Sequence, residues 1–230
     1  MTTRYPWLLF DADDTLFDYR RAETLALREA FEAEGHAFQA AWLPVYQRLN
    51  AAAWRELEAG NLSSEQLRVR RFADLAAELG LALDPTAFSS TYLRQLARQA
   101  HLVDGALEVV EELRANHRIA IITNGLPDVQ RPRLAASALA GKVGPVVISD
   151  EVGVAKPDPA IFRIAIERMG RPAPSEVLVI GDSLSSDIAG GAAAGIDTCW
   201  YNPGARSRAD GPAPTYEIRR LEELLAILAA

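Results

Sequence analysis

Three aspartates directly follow a short apolar segment near the N-terminus, in the stretch Leu8-Leu9-Phe10-Asp11-Ala12-Asp13-Asp14-Thr15-Leu16-Phe17. The apolar residues predict a buried β-strand, and the acids must then lie at its end, facing solvent or an ion. Asp11 and Asp13 are two residues apart, so they point to the same side of an extended chain. Carboxylates held this close repel each other unless a cation lies between them. The stretch therefore favours a divalent-metal site at the carboxyl end of a parallel strand over the simpler interpretation of an acidic helix cap.

Composition narrows the class of protein. The chain has 230 residues, of which 49% are hydrophobic and 24% charged, as expected for one globular domain or a core domain with an insert. The formal net charge of −7 argues against a nucleic-acid polymer as partner, because such a binder needs a basic face. The single cysteine, Cys199, excludes a disulfide framework and a cysteine zinc cluster. With no targeting segment or membrane span in the sequence, we expect a soluble, cytoplasmic protein.

The hydrophobic pattern divides the chain into two parts. Between Phe17 and Asp104 it is helical throughout, with helices predicted over 18–34, 41–59, 65–79 and 85–100 and a capping box at Ser63-Ser64-Glu65-Gln66. Four amphipathic helices in succession predict a small helical bundle. From Asp104 onwards, short apolar strands alternate with helices, which predicts a parallel, doubly wound sheet.

The alternating part predicts strands over 119–122, 146–148, 177–180, 198–201 and 215–218, and helices over 105–116, 128–139, 158–169, 186–194 and 221–229. We interpret Pro132 as a helix break or a first helical residue, and Gly190-Gly191 as a point of close helix packing. The predicted fold class is α/β, a Rossmann-like doubly wound parallel sheet. Residues 1–17 and 104–230 form its core domain, and residues 18–103 form a helical domain inserted after the first strand.

Polar residues follow four of the predicted strands, and in a parallel sheet all four positions open onto one edge. Carboxylates for a metal, a hydroxyl and backbone N–H groups for an oxyanion, and a lysine charge are the parts that phosphoryl transfer needs. In chain order they are Asp11 and Asp13, Thr123-Asn124-Gly125, Lys156, and Gly181-Asp182 with Asp187.

Taken singly, these residues have simpler interpretations. Asn124-Gly125 is a common turn pair, Lys156 alone indicates solvated surface, and Asp187 alone fits an ordinary acid at a helix N-terminus. Only two of the 24 basic residues are lysines, Lys142 and Lys156, so a lysine in a motif is a signal in itself. The joint occurrence of all these residues at strand ends favours a catalytic site.

The four segments together resemble the motifs of the haloacid dehalogenase-like hydrolase superfamily. They match in order and spacing, as Asp11-x-Asp13-x-Thr15, Thr123-Asn124-Gly125, Lys156-Pro157 and Gly181-Asp182-x-x-x-x-Asp187. The resemblance covers the whole chain and implies that residues 18–103 are a C1-type cap, a four-helix bundle. More narrowly, Phe10 to Phe17, Ile148 to Pro157 and Cys199-Trp200 are similar to the house-cleaning pyrimidine 5′-nucleotidases.

The resemblance implies a role for each acid of the motifs. Asp11 is the expected nucleophile, which forms an aspartyl-phosphate, and Asp13 the expected general acid and then base. The expected cofactor is Mg²⁺, with Mn²⁺ as a substitute, held by the Asp11 carboxylate, the Asp13 backbone carbonyl and the Asp182 carboxylate. Asp187 is expected to orient Lys156 or a metal-bound water.

The resemblance also implies a phosphate site. Thr123 and the backbone amides of Asn124 and Gly125 are expected to bind phosphate oxygens, and Lys156 to neutralise the phosphate and the nucleophile. The expected substrate is a small-molecule phosphate ester, a nucleoside 5′-monophosphate and in particular a pyrimidine one. The expected oligomeric state is a monomer or a homodimer.

Other functions of the same fold remain open at this point. A 2-haloacid dehalogenase needs neither Asp13 nor a metal, because halide leaves without a proton, so the presence of Asp13 and Asp182 favours phosphate. Phosphonoacetaldehyde hydrolase needs a lysine from the cap, and no lysine precedes Lys142. A sugar-phosphate phosphatase or phosphomutase stays possible, whereas a non-catalytic binding module is disfavoured because Asp11 and Asp13 are retained.

The predicted helical domain offers side chains for contact with a base, namely Trp42, Tyr46, Trp54 and Arg68, with Phe17 just before it. The helical spacing of Trp42, Tyr46 and Trp54 favours a place in the core of the bundle. We therefore leave these residues out of the predicted site.

Overall fold

The computed structural model describes residues 4–208 and 211–229, which form two compact units. Unit 1 contains the residues up to Tyr19, His101–Pro127 and the residues from Leu134 onwards. Unit 2 contains Arg20–Ala100 and Asp128–Arg133. The division into a core domain over 1–17 and 104–230 and a cap domain over 18–103 stays a prediction, and residues 1–3, 209–210 and 230 of that core domain lie outside the described residues.

Unit 1 is built on a parallel sheet of six strands in the order β3-β2-β1-β4-β5-β6, which confirms the predicted α/β class. The order reverses between β1 and β4, and open α/β sheets bind their ligands beside the carboxyl ends of the strands at such a reversal. The strands are β1 (Trp7–Phe10), β2 (Arg118–Thr123), β3 (Val146–Ile148), β4 (Val177–Gly181), β5 (Asp197–Tyr201) and β6 (Tyr216–Ile218).

The α-helices are, in chain order, α1 (Tyr19–Ala33), α2 (Trp42–Glu58), α3 (Ser64–Leu79), α4 (Pro85–Arg98), α5 (Ala106–Leu113), α6 (Pro127–Ala136), α7 (Ser149–Val152), α8 (Pro159–Arg168), α9 (Ala189–Ala193) and α10 (Glu223–Ala229). A 3₁₀ turn covers Pro174–Glu176 and a π-helix covers Leu184–Ile188. Within the described residues, every helix is too short or too polar to cross a bilayer.

Alternate residues of each central strand pack on opposite faces of the sheet. Leu8 and Phe10 of β1 belong to one apolar cluster, which also contains residues of α5 and α10. Leu9 of β1 and Val179 of β4 belong to a second cluster, with residues of α8. Each fully buried side chain of this size contributes about 1.5–3 kcal/mol. The two layers therefore hold the ends of β1 and β4 in fixed positions.

One sequence prediction about the helices is wrong and one is confirmed. Pro132 is neither a break nor a first residue, since it lies inside α6. The first position of that helix is taken by Pro127. Its missing N–H removes one backbone hydrogen bond, and α6 ends soon afterwards at Ala136. Close packing at Gly190 and Gly191 is confirmed, since a Cβ on Gly191 would lie 2.7 Å from Thr198 Cγ2.

Unit 2 contains α2, α3 and α4 and all of α1 except Tyr19. The predicted capping box of α3 is confirmed: Ser63 Oγ accepts from the Gln66 N–H at 3.2 Å, and Gln66 Oε1 accepts from the Ser63 N–H at 2.9 Å. Tyr46 is fully buried, with its ring stacked on Phe72 at 5.5 Å. The four-helix bundle and the C1-type cap stay predictions.

A buried polar cluster also lies in unit 2, and we call it the amide cluster. It consists of Glu23, Gln47, Asn50 and Arg71, which come from α1, α2 and α3. Asn50 and Gln47 each donate to one carboxylate oxygen of Glu23 at 3.0 Å, and Arg71 Nη1 donates to Asn50 Oδ1 at 2.9 Å. This cluster was not predicted from the sequence.

Candidate active site

The sheet places Asp11 and Asp182 side by side at the ends of neighbouring strands. Asp11 follows β1 and continues its pairing with β4, because its N–H donates to the Ile180 carbonyl at 2.8 Å. Asp182 follows β4 directly, and Trp200 Nε1 of β5 donates to its carbonyl at 2.9 Å. The two acids predicted as metal ligands by their carboxylates are thus fixed by backbone contacts at the reversal of strand order.

Lys156 lies at the centre of the site, and its side chain is 3% exposed. Its ammonium group donates to Asp11 Oδ1 at 2.5 Å, to Asp187 Oδ1 at 2.6 Å and to the Ile122 carbonyl at 3.2 Å. These contacts use all three N–H donors of the group. Burial alone lowers the pKa of Lys156, but attraction to Asp11 and Asp187 outweighs it and raises the pKa above its ordinary value. The solvated-surface interpretation of Lys156 is wrong.

Asp187 is held on both of its oxygens. Oδ1 accepts from Lys156, and Oδ2 accepts from the Ser183 N–H at 3.0 Å. A Cβ on residue 181 would overlap the Asp187 carboxylate, so the glycine after the fourth predicted strand leaves the space that this buried acid occupies. The helix predicted over 186–194 is wrong in its first turn, where a π-helix over Leu184–Ile188 carries Asp187 before α9 begins. Widened turns of this kind occur often at functional sites.

The carboxylates of Asp11, Asp182 and Asp187 offer oxygen atoms that all lie within 4.8 Å of one another. Burial raises the pKa of Asp11 well above its ordinary value, despite the attraction of Lys156. Burial, with repulsion from Asp187 and Asp14, raises the pKa of Asp182 to about 7. The buried Asp11 and Asp187 and the half-buried Asp182 thus lie around one buried ammonium group, and a cluster with this many carboxylate oxygens fits a hard divalent cation such as Mg²⁺.

Asp13 and Asp14 occupy the turn after Asp11. Asp13 is half-buried, and its carboxylate is not among the three clustered ones in the described part of the chain; the prediction assigned its backbone carbonyl to the metal. Asp14 has a left-handed backbone, with φ of 58°, and its N–H donates to the Phe17 carbonyl at 2.8 Å. The turn is closed by a second backbone hydrogen bond, from the Phe17 N–H to the Ala12 carbonyl at 2.8 Å.

The segment Thr123-Asn124-Gly125, predicted to bind phosphate, contacts Lys156 through Asn124. The Asn124 side chain accepts from the Lys156 N–H at 2.8 Å and donates to the Lys156 carbonyl at 2.9 Å. The Gly125 N–H, predicted to bind phosphate, donates to Thr123 Oγ1 at 3.0 Å in this structure. These contacts of the Asn124 side chain with Lys156 were not predicted, because nothing local in the sequence links residue 124 to residue 156.

One further residue reaches the site from the loop after β5. Arg206 Nη2 donates to the Asp182 carbonyl at 2.7 Å and approaches Asp182 Oδ2 at 3.3 Å. Arg206 was not predicted as a site residue, because it is one of many arginines and belongs to no motif. The predicted residues Asp11, Lys156, Asp182 and Asp187 are brought together, with Thr123-Asn124-Gly125 beside them. The arrangement combines a carboxylate, a buried cation and a metal-type oxygen cluster, which suits displacement at an anionic centre.

Comparison with protein families gives one model match over most of the chain. A model described as haloacid dehalogenase-like hydrolase matches residues 5–195. That range includes every residue assigned to the predicted site.

Individual relatives match nearly the whole chain. The pyrimidine 5′-nucleotidase YjjG of Escherichia coli (strain K12) is 36% identical, covering 98% of each chain. The pyrimidine 5′-nucleotidase PynA of Streptococcus pneumoniae (strain ATCC BAA-255 / R6) is 35% identical, covering 97% of this chain and 95% of its own. The crystal structure of the HAD-hydrolase YfnB from Bacillus subtilis bound to magnesium is 37% identical with a TM-score of 0.93, covering 99% of this chain and all of that one.

Proposed function

This chain belongs to the haloacid dehalogenase-like hydrolases, and from that membership we propose that it is a magnesium-dependent phosphatase of nucleoside 5′-monophosphates, pyrimidine ones in particular. The observation that carries the proposal is the contact of one buried lysine with two buried aspartates beside a third acid. The nucleotide preference rests on the two relatives named as pyrimidine 5′-nucleotidases. The cytoplasmic location and the oligomeric state, monomer or homodimer, stay predictions.

The nucleophile assignment is supported by how the oxygens of Asp11 are used. Lys156 occupies Oδ1, and among the described residues no donor contacts Oδ2. In the proposed reaction Oδ2 of Asp11 attacks the phosphorus of the ester, and the bond from phosphorus to the leaving oxygen breaks. The ammonium group of Lys156, already in place, offsets the negative charge of the incoming phosphate.

Proton transfer is assigned to Asp13. Asp13 donates a proton to the leaving alkoxide and then takes one from the water that attacks the phosphorus of the aspartyl-phosphate. This second step releases inorganic phosphate and restores the Asp11 carboxylate. Since Asp187 is held by both Lys156 and the Ser183 N–H, its proposed role is to orient Lys156, not a water molecule.

The metal site is assigned to the carboxylates of Asp11 and Asp182 with the backbone carbonyl of Asp13. When bound there, Mg²⁺ would neutralise charge on the phosphate oxygens. The clustering of these carboxylates with that of Asp187 supports the assignment. Thr123 and the backbone amides of Asn124 and Gly125 are proposed as phosphate contacts, which for Gly125 requires its N–H to exchange Thr123 Oγ1 for a phosphate oxygen.

A substrate panel tests the proposal. Phosphate release is measured with pyrimidine and purine nucleoside 5′-monophosphates and with sugar phosphates, in Mg²⁺, in Mn²⁺ and in EDTA. We expect the highest kcat/KM for pyrimidine monophosphates and a loss of activity in EDTA. Equal turnover of sugar phosphates would remove the nucleotide assignment, and metal-independent release of chloride from 2-chloropropionate would replace phosphatase by dehalogenase.

A matched pair of variants tests the nucleophile in the same assay. Asp11→Asn should abolish phosphate release, because a neutral amide does not attack phosphorus. Asp14→Asn removes the same charge three residues on, at a left-handed position that asparagine tolerates, and should retain most of the activity. Substantial turnover by Asp11→Asn would show that another group is the nucleophile.

A further inference from the structure

The guanidinium group of Arg206 lies against the acid proposed to hold the metal. Its Nη2 contacts both the backbone carbonyl and the Oδ2 of Asp182, at 2.7 and 3.3 Å. The Arg206 Cζ lies 5.8 Å from the centre of the Trp200 ring, and Trp200 Nε1 donates to the same Asp182 carbonyl. Trp200 of β5 and Arg206 of the loop after β5 thus both contact Asp182.

The turn that carries Arg206 is fixed by a fully buried asparagine. Asn202 Oδ1 accepts from the Arg206 N–H at 2.9 Å, and Asn202 Nδ2 donates to the Arg206 carbonyl at 3.0 Å and to Glu217 Oε1 at 2.8 Å. A buried amide is costly unless its hydrogen bonds are made. Here most of those bonds go to the backbone of Arg206, so an otherwise exposed turn is held in one conformation.

We propose that Arg206 is a positioning residue for the divalent-metal site. By contacting Oδ2 of Asp182 it restricts rotation of the carboxylate and leaves Oδ1 as the ligand atom. The inference rests on the proposed function only in taking Asp182 as a metal ligand. It assigns a task to a loop residue that lies outside all four motifs.

The charge of Arg206 acts in the opposite direction, because a cation beside the site repels a metal ion. The Arg206 side chain is 48% exposed, so water and salt screen this repulsion. Loss of an outer partner that orients a metal ligand typically weakens metal binding about 10- to 100-fold. Orientation therefore outweighs repulsion, and removing Arg206 should weaken binding of Mg²⁺.

Calorimetric titration of the full-length protein with MgCl₂ tests the inference. The variants are Arg206→Met, which keeps the length of the side chain, and the control Arg208→Met. Arg208 is exposed in the same loop and makes no ion pair within the described residues. We expect Arg206→Met to raise the Kd for Mg²⁺ at least about tenfold, and Arg208→Met to leave it unchanged. At saturating Mg²⁺, kcat of Arg206→Met should return to the wild-type value, which a general loss of structure would prevent.

The variant Asp182→Asn distinguishes failure of the metal assignment from failure of the role given to Arg206. If the wild-type protein binds no Mg²⁺, or Asp182→Asn binds it equally well, the metal assignment fails and the inference fails with it. If Asp182→Asn loses binding while Arg206→Met binds as tightly as wild type or more tightly, the metal assignment stands and the role of Arg206 is overturned.

Discussion

Both units bury acids together with bases, but they use the acid oxygens differently. In the amide cluster of unit 2, both oxygens of Glu23 accept hydrogen bonds from neutral amides, and Arg71 lies over aromatic rings, 4.9 Å from Phe72 and 5.2 Å from Tyr92. In unit 1, Asp11 shares a single lysine with Asp187, and Oδ2 of Asp11 has no donor among the described residues.

The contrast separates a cluster that stabilises the fold from a cluster arranged for a ligand. Hydrogen bonds to both oxygens of a buried carboxylate, as at Glu23, rigidify the surrounding core. In unit 1, the carboxylates of Asp11, Asp182 and Asp187 lie together, and the pKa values of Asp11 and Asp182 are raised. Perturbed pKa values of this kind are typical of functional sites. We therefore expect variants that disturb the cluster of Asp11, Lys156 and Asp187 to reduce catalysis, and variants in the amide cluster to reduce stability alone.

The largest effect is expected from Lys156→Met. The variant leaves Asp11 and Asp187 buried without their counter-ion, so the free energy of unfolding should fall by about 3 kcal/mol. Phosphate release should fall at least about 100-fold at saturating Mg²⁺. Urea unfolding and steady-state assays measure the two quantities. The other lysine is the control: Lys142 pairs with Glu111 at 3.2 Å near the surface, so Lys142→Met should cost at most about 1 kcal/mol and leave kcat unchanged.

A smaller effect, on stability only, is expected from Arg71→Met. This change leaves Asn50 and Glu23 buried without the arginine and should lower the free energy of unfolding by about 3 kcal/mol, with kcat per folded molecule at the wild-type value. The neighbouring Arg70 pairs with Asp74 on the surface, so Arg70→Met should leave both quantities nearly unchanged. A drop in kcat for Arg71→Met would assign the amide cluster to function and remove the contrast.

The smallest effects are expected from two glycine substitutions in unit 1. Gly181→Ala would press a methyl group on the Asp187 carboxylate, and Gly191→Ala would press one on Thr198. Both should cost about 1–3 kcal/mol through overpacking. Only Gly181→Ala should also reduce kcat, because it displaces Asp187 from Lys156. Equal kcat values for the two variants would mean that the position of Asp187 does not matter to the reaction.

The strands and motif positions of unit 1 were predictable because their signals are local. A short apolar run followed by Asp11, or by Gly181-Asp182, indicates a buried strand and its end without reference to the rest of the chain. The parallel order of the strands then brings the strand ends to one edge. The capping box of α3 was predictable for the same reason, since Ser63 and Gln66 are three residues apart.

The details that were not predicted are of two kinds. Some depend on contacts between residues far apart in the sequence, and others on backbone geometry that the amino-acid composition does not indicate. Asn124 braces Lys156, and Arg206 reaches Asp182, across elements that only the folded sheet brings together. The π-helix that carries Asp187 and the position of Pro132 inside α6 depend on local backbone geometry that the hydrophobic period does not encode. The amide cluster, with residues on three helices, combines both difficulties.

Trapping the covalent intermediate tests the central claim, that Asp11 is the group that attacks phosphorus. Borohydride added during turnover of a pyrimidine monophosphate reduces an aspartyl-phosphate to a homoserine side chain, and peptide mass spectrometry then locates the modified residue. We expect this conversion at Asp11, dependent on both substrate and Mg²⁺. Conversion at Asp13 or Asp182, or phosphate release with no conversion at any aspartate, would contradict it.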